Sequence, residues 1–380
     1  MRILLVSAHG ADLTAGGTER YVADLAAGLS ARAHDVRVLA AFPAHGNDRG
    51  PTTTVLHRSH WRDDASRRFR NHAGDVLALP GRRLAELVSS VQPNLVHTSN
   101  LAGFSTSVWE IARRQGLPVV HTLHDYHLLC PRVTLTRRDG GPCCSHPRFC
   151  SVRTRRLARW AGQVSHVLCG SEHLWRRHEK LFPRARVRVV RVPLVPLVER
   201  PLRPPSSPPH AIGYLGSLER IKGVEPLLAA APSLRELGLQ LHVAGDGRLR
   251  PEVEAAQGIV YAGRVLGEDK LRFIESVDVG VAPSIWEEAN GPPYAVAEWL
   301  SAGRPALVSA RGGLAEAVSL PGVLGIEPTA AGIAEGARRL LDAGQWERSL
   351  AARPPVVDHH DFERWLDDHE AVYAEAGAAS

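Results

Sequence analysis

The sequence predicts an α/β protein of two doubly wound domains, each built on a parallel sheet. Three observations carry this. Short apolar runs without polar alternation recur along the chain, the pattern of strands buried on both faces. Segments with helical apolar spacing separate them, as crossovers between parallel strands require. The 380 residues exceed the usual size of one core, and the alternation stops once, at a proline-rich stretch, and then restarts.

In chain order, residues 2–7 form a strand, 19–32 an amphipathic helix and 35–40 a second strand, with further strands at 94–97, 118–123 and 165–169. Residues 131–152 fit no element. Rich in Arg, Gly, Pro and Cys, they read as a long lid or binding loop. Residues 193–209, PLVPLVERPLRPPSSPP, exclude a helix or central strand and read as a stiff linker. Beyond it, strands are expected at 211–215, 239–244, 258–261, 279–283 and 305–309, and helices at 223–237, 270–276 and 294–302. Gly312 and Gly313 precede another helix. A last helix, 361–376, has Phe362, Trp365, Val372 and Tyr373 at helical spacing and is expected to pack. The domains are thus read as 1–197, a linker 198–210, 211–357, and a C-terminal helix 358–380 packing back toward the first domain. Two similar halves imply a central cleft, with ligands at the carboxyl ends of the strands.

Charge is unevenly divided. Residues 1–200 hold 30 Lys+Arg against 15 Asp+Glu, and the remainder holds 16 against 25, within a net charge of +6. A basic first domain suggests an anionic partner, either an acidic or phosphorylated acceptor or the surface of a membrane, the latter favoured by RRFR at 67–70; solvated arginines are the alternative. No nucleic-acid-binding module or aromatic-basic interleaving is present, so nucleic acid is not expected. No run of about 18 uncharged apolar residues occurs, and the start lacks signal-peptide character, which predicts a cytoplasmic protein, peripheral to the inner membrane face if bound there. Lys180, Lys222 and Lys270 are the only lysines.

Four of five cysteines crowd together: Cys130, Cys143, Cys144 and Cys150. With His127 and His146 they offer ligands for a structural zinc; free thiols or a disulfide are the other readings. Cys169 reads as a small buried hydrophobe.

Chemistry concentrates in three segments. Residues 284–305, SIWEEANGPPYAVAEWLSAGRP, join a strand end, an acidic loop, a Gly-Pro-Pro turn and a helix start whose amides suit a diphosphate; Glu298, further in, suits ribose hydroxyls. GSLERIKG at 216–223 sets Arg220 and Lys222 beside another helix start, where two cations suit a diphosphate leaving group. Gly16 and Gly17 open the first helix and permit close approach of a phosphate or sugar. His124 and Asp125 follow a strand end; the histidine is either a sugar contact or a structural group.

These motifs in this order resemble glycosyltransferase family 4, the retaining, nucleotide-sugar-dependent enzymes of GT-B fold. The resemblance rests on GGTER, LVHTSN, PVVHTLHDYHLLCPR, YLGSLERIKGVEPLL, VAGDGRLRPEVE, VDVGVAPSIWEE, AEWLSAGRPALVS and GGLAEAV, and spans nearly the whole chain. It implies GT-B architecture, two Rossmann-like domains facing a cleft. It implies that Gly17 approaches the donor phosphate or sugar, His124 contacts the donor sugar near the reacting carbon, and Lys222 binds the diphosphate. Arg264 and Val265 would lie along the base, Glu298 would bind the ribose, amides at Tyr294 and Ala295 would hold the diphosphate, and Gly291 would belong to the donor site. Two departures stand out. Ser217 occupies the family's arginine position, so Arg220 would supply that charge. Counting back from Glu298 to the first acid of the E-x7-E motif gives Asn290; either Asn290 takes that place, or Gly-Pro-Pro is a two-residue insertion and Glu288 does, the reading favoured by WEE directly after the strand.

The implied function is transfer of a sugar from a UDP- or GDP-sugar to a hydroxyl of a natural product, polysaccharide or lipid-linked glycan, with retained configuration and no cofactor or catalytic metal. A nucleotide-sugar epimerase of the same fold and a catalytically silent binding or scaffold protein are the alternatives.

Overall fold

A computed structural model of the chain describes residues 1–9, 16–42, 53–56, 81–137, 141–143, 148–194, 197, 200, 202–352 and 360–378. Cys144, His146 and the 67–70 segment lie outside the described residues. The chain forms two compact units: Met1–Leu135 with Cys143–Val190 and Arg364–Ser380, and Thr136–Pro142 with Arg191–Glu363.

The first unit is a seven-stranded parallel sheet of β1 (Arg2–His9), β2 (Asp35–Phe42), β3 (Thr53–Val55), β4 (Leu95–Thr98), β5 (Val119–Leu123), β6 (His166–Cys169) and β7 (Arg186–Val189), in the order 3-2-1-4-5-6-7. Ile3 faces Val36 on one side and Leu95 on the other, so β1 lies at the point where strand order reverses. Residues Ile3 to Ala8 of β1 and all of β4, β5 and β6 are buried, as their continuous apolar runs predict. β7, RVRV, escapes that rule because it is an edge strand: Arg186 is exposed and Arg188, half-buried, pairs with Asp368 and Glu375. The expectation that 131–152 forms no element is corrected at its end: Arg148–Leu157 is a helix. Its apolar stripe is obscured because one of its two buried side chains is Arg153, which donates to the His127 carbonyl at 2.6 Å.

The last helix, His360–Ala378, buries Trp365, Leu366, Val372, Tyr373 and Ala376, and from Arg364 onward belongs to the first unit. A Cβ on Gly28, in helix Gly17–Ala31, would stand 2.7 Å from Leu366 Cδ2, so the two helices touch at a glycine. His369 lies on the same helical face as Trp365 and Val372 without being apolar; it is fully buried, and its Nε2 lies 2.5 Å from the Tyr21 hydroxyl. Tyr373 likewise meets His97 Nδ1 at 2.6 Å, and His97 Nε2 meets Thr122 at 2.7 Å.

The second unit is a six-stranded parallel sheet of β8 (Ala211–Leu215), β9 (Gln240–Ala244), β10 (Ile259–Tyr261), β11 (Val279–Ala282), β12 (Ala306–Ser309) and β13 (Val323–Ile326), in the order 10-9-8-11-12-13. Here the order reverses between β8 and β11. Helices Val224–Glu236 and Ala330–Leu341 contribute Leu227, Leu234, Ile333 and Leu340 to the core over one face, while Phe273, Ile274 and Trp299 form a second cluster. The proline-rich stretch is tied to this unit. Buried Asp278 accepts from the backbone of Ser206, His210 and Ala211 and from the Arg203 guanidinium, and these bonds hold its carboxyl below its ordinary range against the opposing effect of burial.

Candidate functional site

In the second unit the loops following β8, β9, β11 and β12 are bound to one another. Gly216 donates to Ala244 O, Leu218 to Asp246 O, Ile285 to Ile221 O and Gly313 to Glu288 O, at 2.6 to 3.0 Å. These loops sit at the carboxyl edge of the sheet, beside the reversal between β8 and β11, the place where open α/β sheets bind ligands. Glycine makes the approach feasible. Gly223 has φ 76°, and a Cβ there would lie 1.8 Å from the Pro283 carbonyl oxygen. A Cβ on Gly291 would lie 2.0 Å from Gly313 O.

Two lysine-carboxylate pairs occupy this region. Lys222 ends the single turn Arg220–Lys222 and donates to Glu288 Oε1 at 2.6 Å; Ser284 Oγ donates to the same oxygen at 2.6 Å. Ser284 is itself held through its carbonyl by Ser309 Oγ at 2.7 Å, and the Lys222 ammonium lies 5.2 Å from the centre of the Trp286 ring. Glu288 is 6 % exposed, so an ionised carboxylate there requires such partners. The second pair joins Lys270, on helix Gly267–Glu275, to Glu298, on helix Tyr294–Ser301, at 2.6 Å; Glu298 is also 6 % exposed.

The other sequence-derived residues fall as follows. Asn290 is half-buried two positions past Glu288, and the carboxylate that Lys222 reaches is Glu288. Arg220 is exposed and pairs with Glu225 at 2.8 Å, so the structure does not bring it to Lys222's partner. Ser217 is exposed, its carbonyl accepting from the Tyr214 hydroxyl at 2.7 Å. Tyr294 and Ala295 form the first turn of a helix whose N-cap, Pro293, provides no side-chain cap. Arg264 is exposed, whereas Val265 turns inward against the cluster containing Trp299.

In the first unit, Gly16 precedes helix Gly17–Ala31, and its N–H donates to the Glu19 carboxylate at 3.0 Å. One turn along, Tyr21 packs edge-on against His124, ring centres 4.6 Å apart. His124 Nε2 is buried without a hydrogen-bond partner among the described residues, and burial, reinforced by His369, pushes its pKa down to about 3. The imidazole is therefore neutral. Asp125 beside it is raised to about 6 by burial; His127 N–H donates to it at 2.7 Å and Asn100 Nδ2 lies 3.4 Å away. Asn100, His124, Asp125 and His127 line one pocket at the carboxyl ends of β4 and β5.

Among the described cysteines of the cluster, Cys130 is buried and Cys143 and Cys150 are half-buried. Burial, then the proximity of Cys130 and Cys143, raises the Cys150 thiol. Among the described residues no group of three or more His, Cys, Asp or Glu is arranged to hold a metal ion. None of the described helices is long and apolar enough to cross a membrane.

Sequence reasoning missed Lys270, Ser284 and Ser309.

Two parallel-sheet, Rossmann-like units, each with polar groups gathered where strand order reverses, define an enzyme class of GT-B architecture. The family described as Glycosyltransferase Family 4 matches residues 15–194, and that described as Glycosyl transferases group 1 matches residues 209–343. The chain belongs to glycosyltransferase family 4. It is 27 % identical over 410 residues to a glycogen synthase of Mycobacterium tuberculosis, covering 99 % of this chain and 95 % of that one. Among solved structures, sucrose-phosphate synthase of Thermosynechococcus elongatus superposes with TM-score 0.74 at 18 % identity over 100 % of both chains. The catalytic domain of starch synthase IV of Arabidopsis thaliana does so with TM-score 0.70 at 12 % identity over 99 % of both. HepE of Anabaena superposes with TM-score 0.66 at 14 % identity, over 98 % of this chain and 99 % of that one. At these identities the structures establish the shared fold.

Proposed function

We propose that this glycosyltransferase takes its sugar from a nucleoside diphosphate donor and transfers it to an acceptor hydroxyl with retained anomeric configuration. The observation that carries the reading is the Lys222–Glu288 pair at the strand-order reversal of the second unit. An ammonium has three N–H donors, so Lys222 can keep Glu288 and still donate to a phosphate oxygen. Glu288 holds that ammonium in place before the donor arrives, so little reorganisation is needed as charge develops on the leaving diphosphate. Amides of Tyr294 and Ala295, at the positive end of their helix, add to that stabilisation. Glu298 accepts from the ribose, Val265 and the backbone of Arg264 flank the base, and Glu288 rather than Asn290 is the first acid. In the first unit, Gly17 and the neutral imidazole of His124 contact the donor phosphate or sugar. The departing diphosphate takes the acceptor proton, so the protein's own cations supply the charge stabilisation and no divalent metal is called upon. HepE was solved with UDP and glucose and starch synthase IV with ADP and acarbose, which supports a nucleoside diphosphate in this fold. The basic first half suits an anionic acceptor.

A thermal-shift series with UDP-, GDP-, ADP- and dTDP-sugars identifies the donor, and nucleoside diphosphate release with and without acceptor then follows turnover. Lys222→Ala is expected to lower turnover by well over tenfold with the fold intact. Undiminished turnover in that variant refutes the assignment. Release that depends on acceptor excludes both an epimerase and a silent binding protein.

A further inference from the structure

Lys270 has no role in the reading above, yet its surroundings are those of a site residue. Its ammonium lies 2.6 Å from Glu298 Oε1, the same distance and the same chemistry as Lys222 on Glu288. The two residues come from different helices, Gly267–Glu275 and Tyr294–Ser301, so the contact is made by tertiary packing. The Glu298 side chain is 7 % exposed and that of Lys270 25 % exposed, which places the carboxylate below the surface and the cation at its rim. The choice of cation is informative as well. Lys+Arg number 46 in this chain and three are lysine, of which the two in the second unit each close on one of the two buried acids of the loop region. Arginine is planar and presents a fork, whereas lysine is a compact point charge on a flexible stem.

We propose that Lys270 is a positioning residue for nucleotide recognition: it holds the Glu298 carboxylate oriented so that it accepts from the two hydroxyls of the donor ribose. This rests on the reading of Glu298 as the ribose acceptor. A carboxylate has about four acceptor sites, so one bond from Lys270 leaves capacity for a diol. Without the ammonium, a carboxylate this buried loses the partner that orients it and turns to find water, which destroys a two-acceptor grip. Lys270 thereby sets how strongly the site prefers a ribonucleotide to a nucleotide lacking the diol.

Binding of UDP, GDP and ADP, and of their 2′,3′-dideoxy counterparts, to the full chain is measured by calorimetry for the wild type, Lys270→Met, Lys270→Gln and Glu298→Gln. For the nucleotide that the wild type binds most tightly, the preference for ribose is expected to be about tenfold or more. Lys270→Met is expected to lose that preference, weakening the ribonucleotide about tenfold while dideoxy binding stays within about twofold. Adding Lys270→Met to Glu298→Gln is expected to change nothing further. If Lys270→Met does not fold, Lys270→Gln, which is one atom shorter and carries no charge, makes the same comparison. A folded Lys270 variant that keeps the ribose preference, or that weakens both nucleotide forms equally as a loosened helix contact would, overturns the proposal alone. A wild type that binds none of the nucleoside diphosphates overturns the donor reading and this proposal with it.

Discussion

Lys222 reaches Glu288 because the loop after β8 and the loop after β11 meet, and the lysine completes a hydrogen-bonded group with Ser284 and, behind it, Ser309. A buried carboxylate stripped of its cation costs about 3–5 kcal/mol, which makes the two partners interdependent. Spacing in the sequence leaves Glu288 and Asn290 as rivals for the first acid, since two residues of the Gly-Pro-Pro turn decide the register. Glu288→Gln is expected to lower transfer at least tenfold, and Asn290→Ala to stay within about threefold, in steady-state assays of each variant. The opposite ranking assigns the role to Asn290. Glu298 and Lys222 were legible in the sequence because each stands at a fixed offset from a turn. Lys270 was not, because its partner is 28 residues away and the bond depends on how two helices pack.

At the level of elements, the loop after β8 turns into helix Val224–Glu236 through Gly223, and two conditions meet at that residue: a left-handed backbone and a carbonyl where a Cβ would be. Gly238 has a similar φ, 80° against 76°, but nothing within 4 Å of its would-be Cβ. The two glycines therefore separate backbone strain from close contact. Gly238→Ala is expected to cost about 1 kcal/mol and Gly223→Ala at least about 2 kcal/mol more, in urea denaturation curves. Equal losses would remove the contact from the account. The strands of the second unit were read from their apolar runs almost to the residue, because a buried parallel strand carries its signature locally. β3, β7 and β13 were not read: all three are edge strands, β3 is three residues long, β7 carries Arg186 and Arg188, and β13 is four residues long.

For the molecule as a whole, the first unit contains an unusual store of buried neutral imidazoles. His97, His121, His124 and His369 all have pKa values below the ordinary 6.5, first through burial, with His121 and His124 near 3 and His369 near 4. The sign follows directly. Between pH 6.5 and about 4 the unfolded chain binds protons that the folded chain refuses, so stability falls as pH falls, by up to about 1.36 kcal/mol per pH unit for each histidine. Asp125, raised to about 6, works the other way and offsets one of them below that pH. Unfolding free energies measured by urea at pH 7, 6 and 5 are expected to decline steeply. His369→Gln, which keeps a polar group near Tyr21, is expected to reduce that decline by about one proton's worth. A flat profile in the wild type would show that these imidazoles titrate normally in the folded chain.

The amino-acid sequence alone determined the class of this protein: two parallel-sheet units, the proline-rich interruption, the turns that bear Lys222 and Glu298, and the motif order that marks a family 4 glycosyltransferase. All of these are written in local periodicity, in glycine and proline punctuation, and in residue order. The tertiary structure decided which side chains meet. Strand order reverses at β1 and β4 and again at β8 and β11, so loops far apart in the chain become neighbours. That reversal brings Lys222 to Glu288, packing of two helices brings Lys270 to Glu298, and docking of the last helix brings Tyr373 to His97. No local pattern encodes such contacts, because each depends on the summed path of the intervening chain.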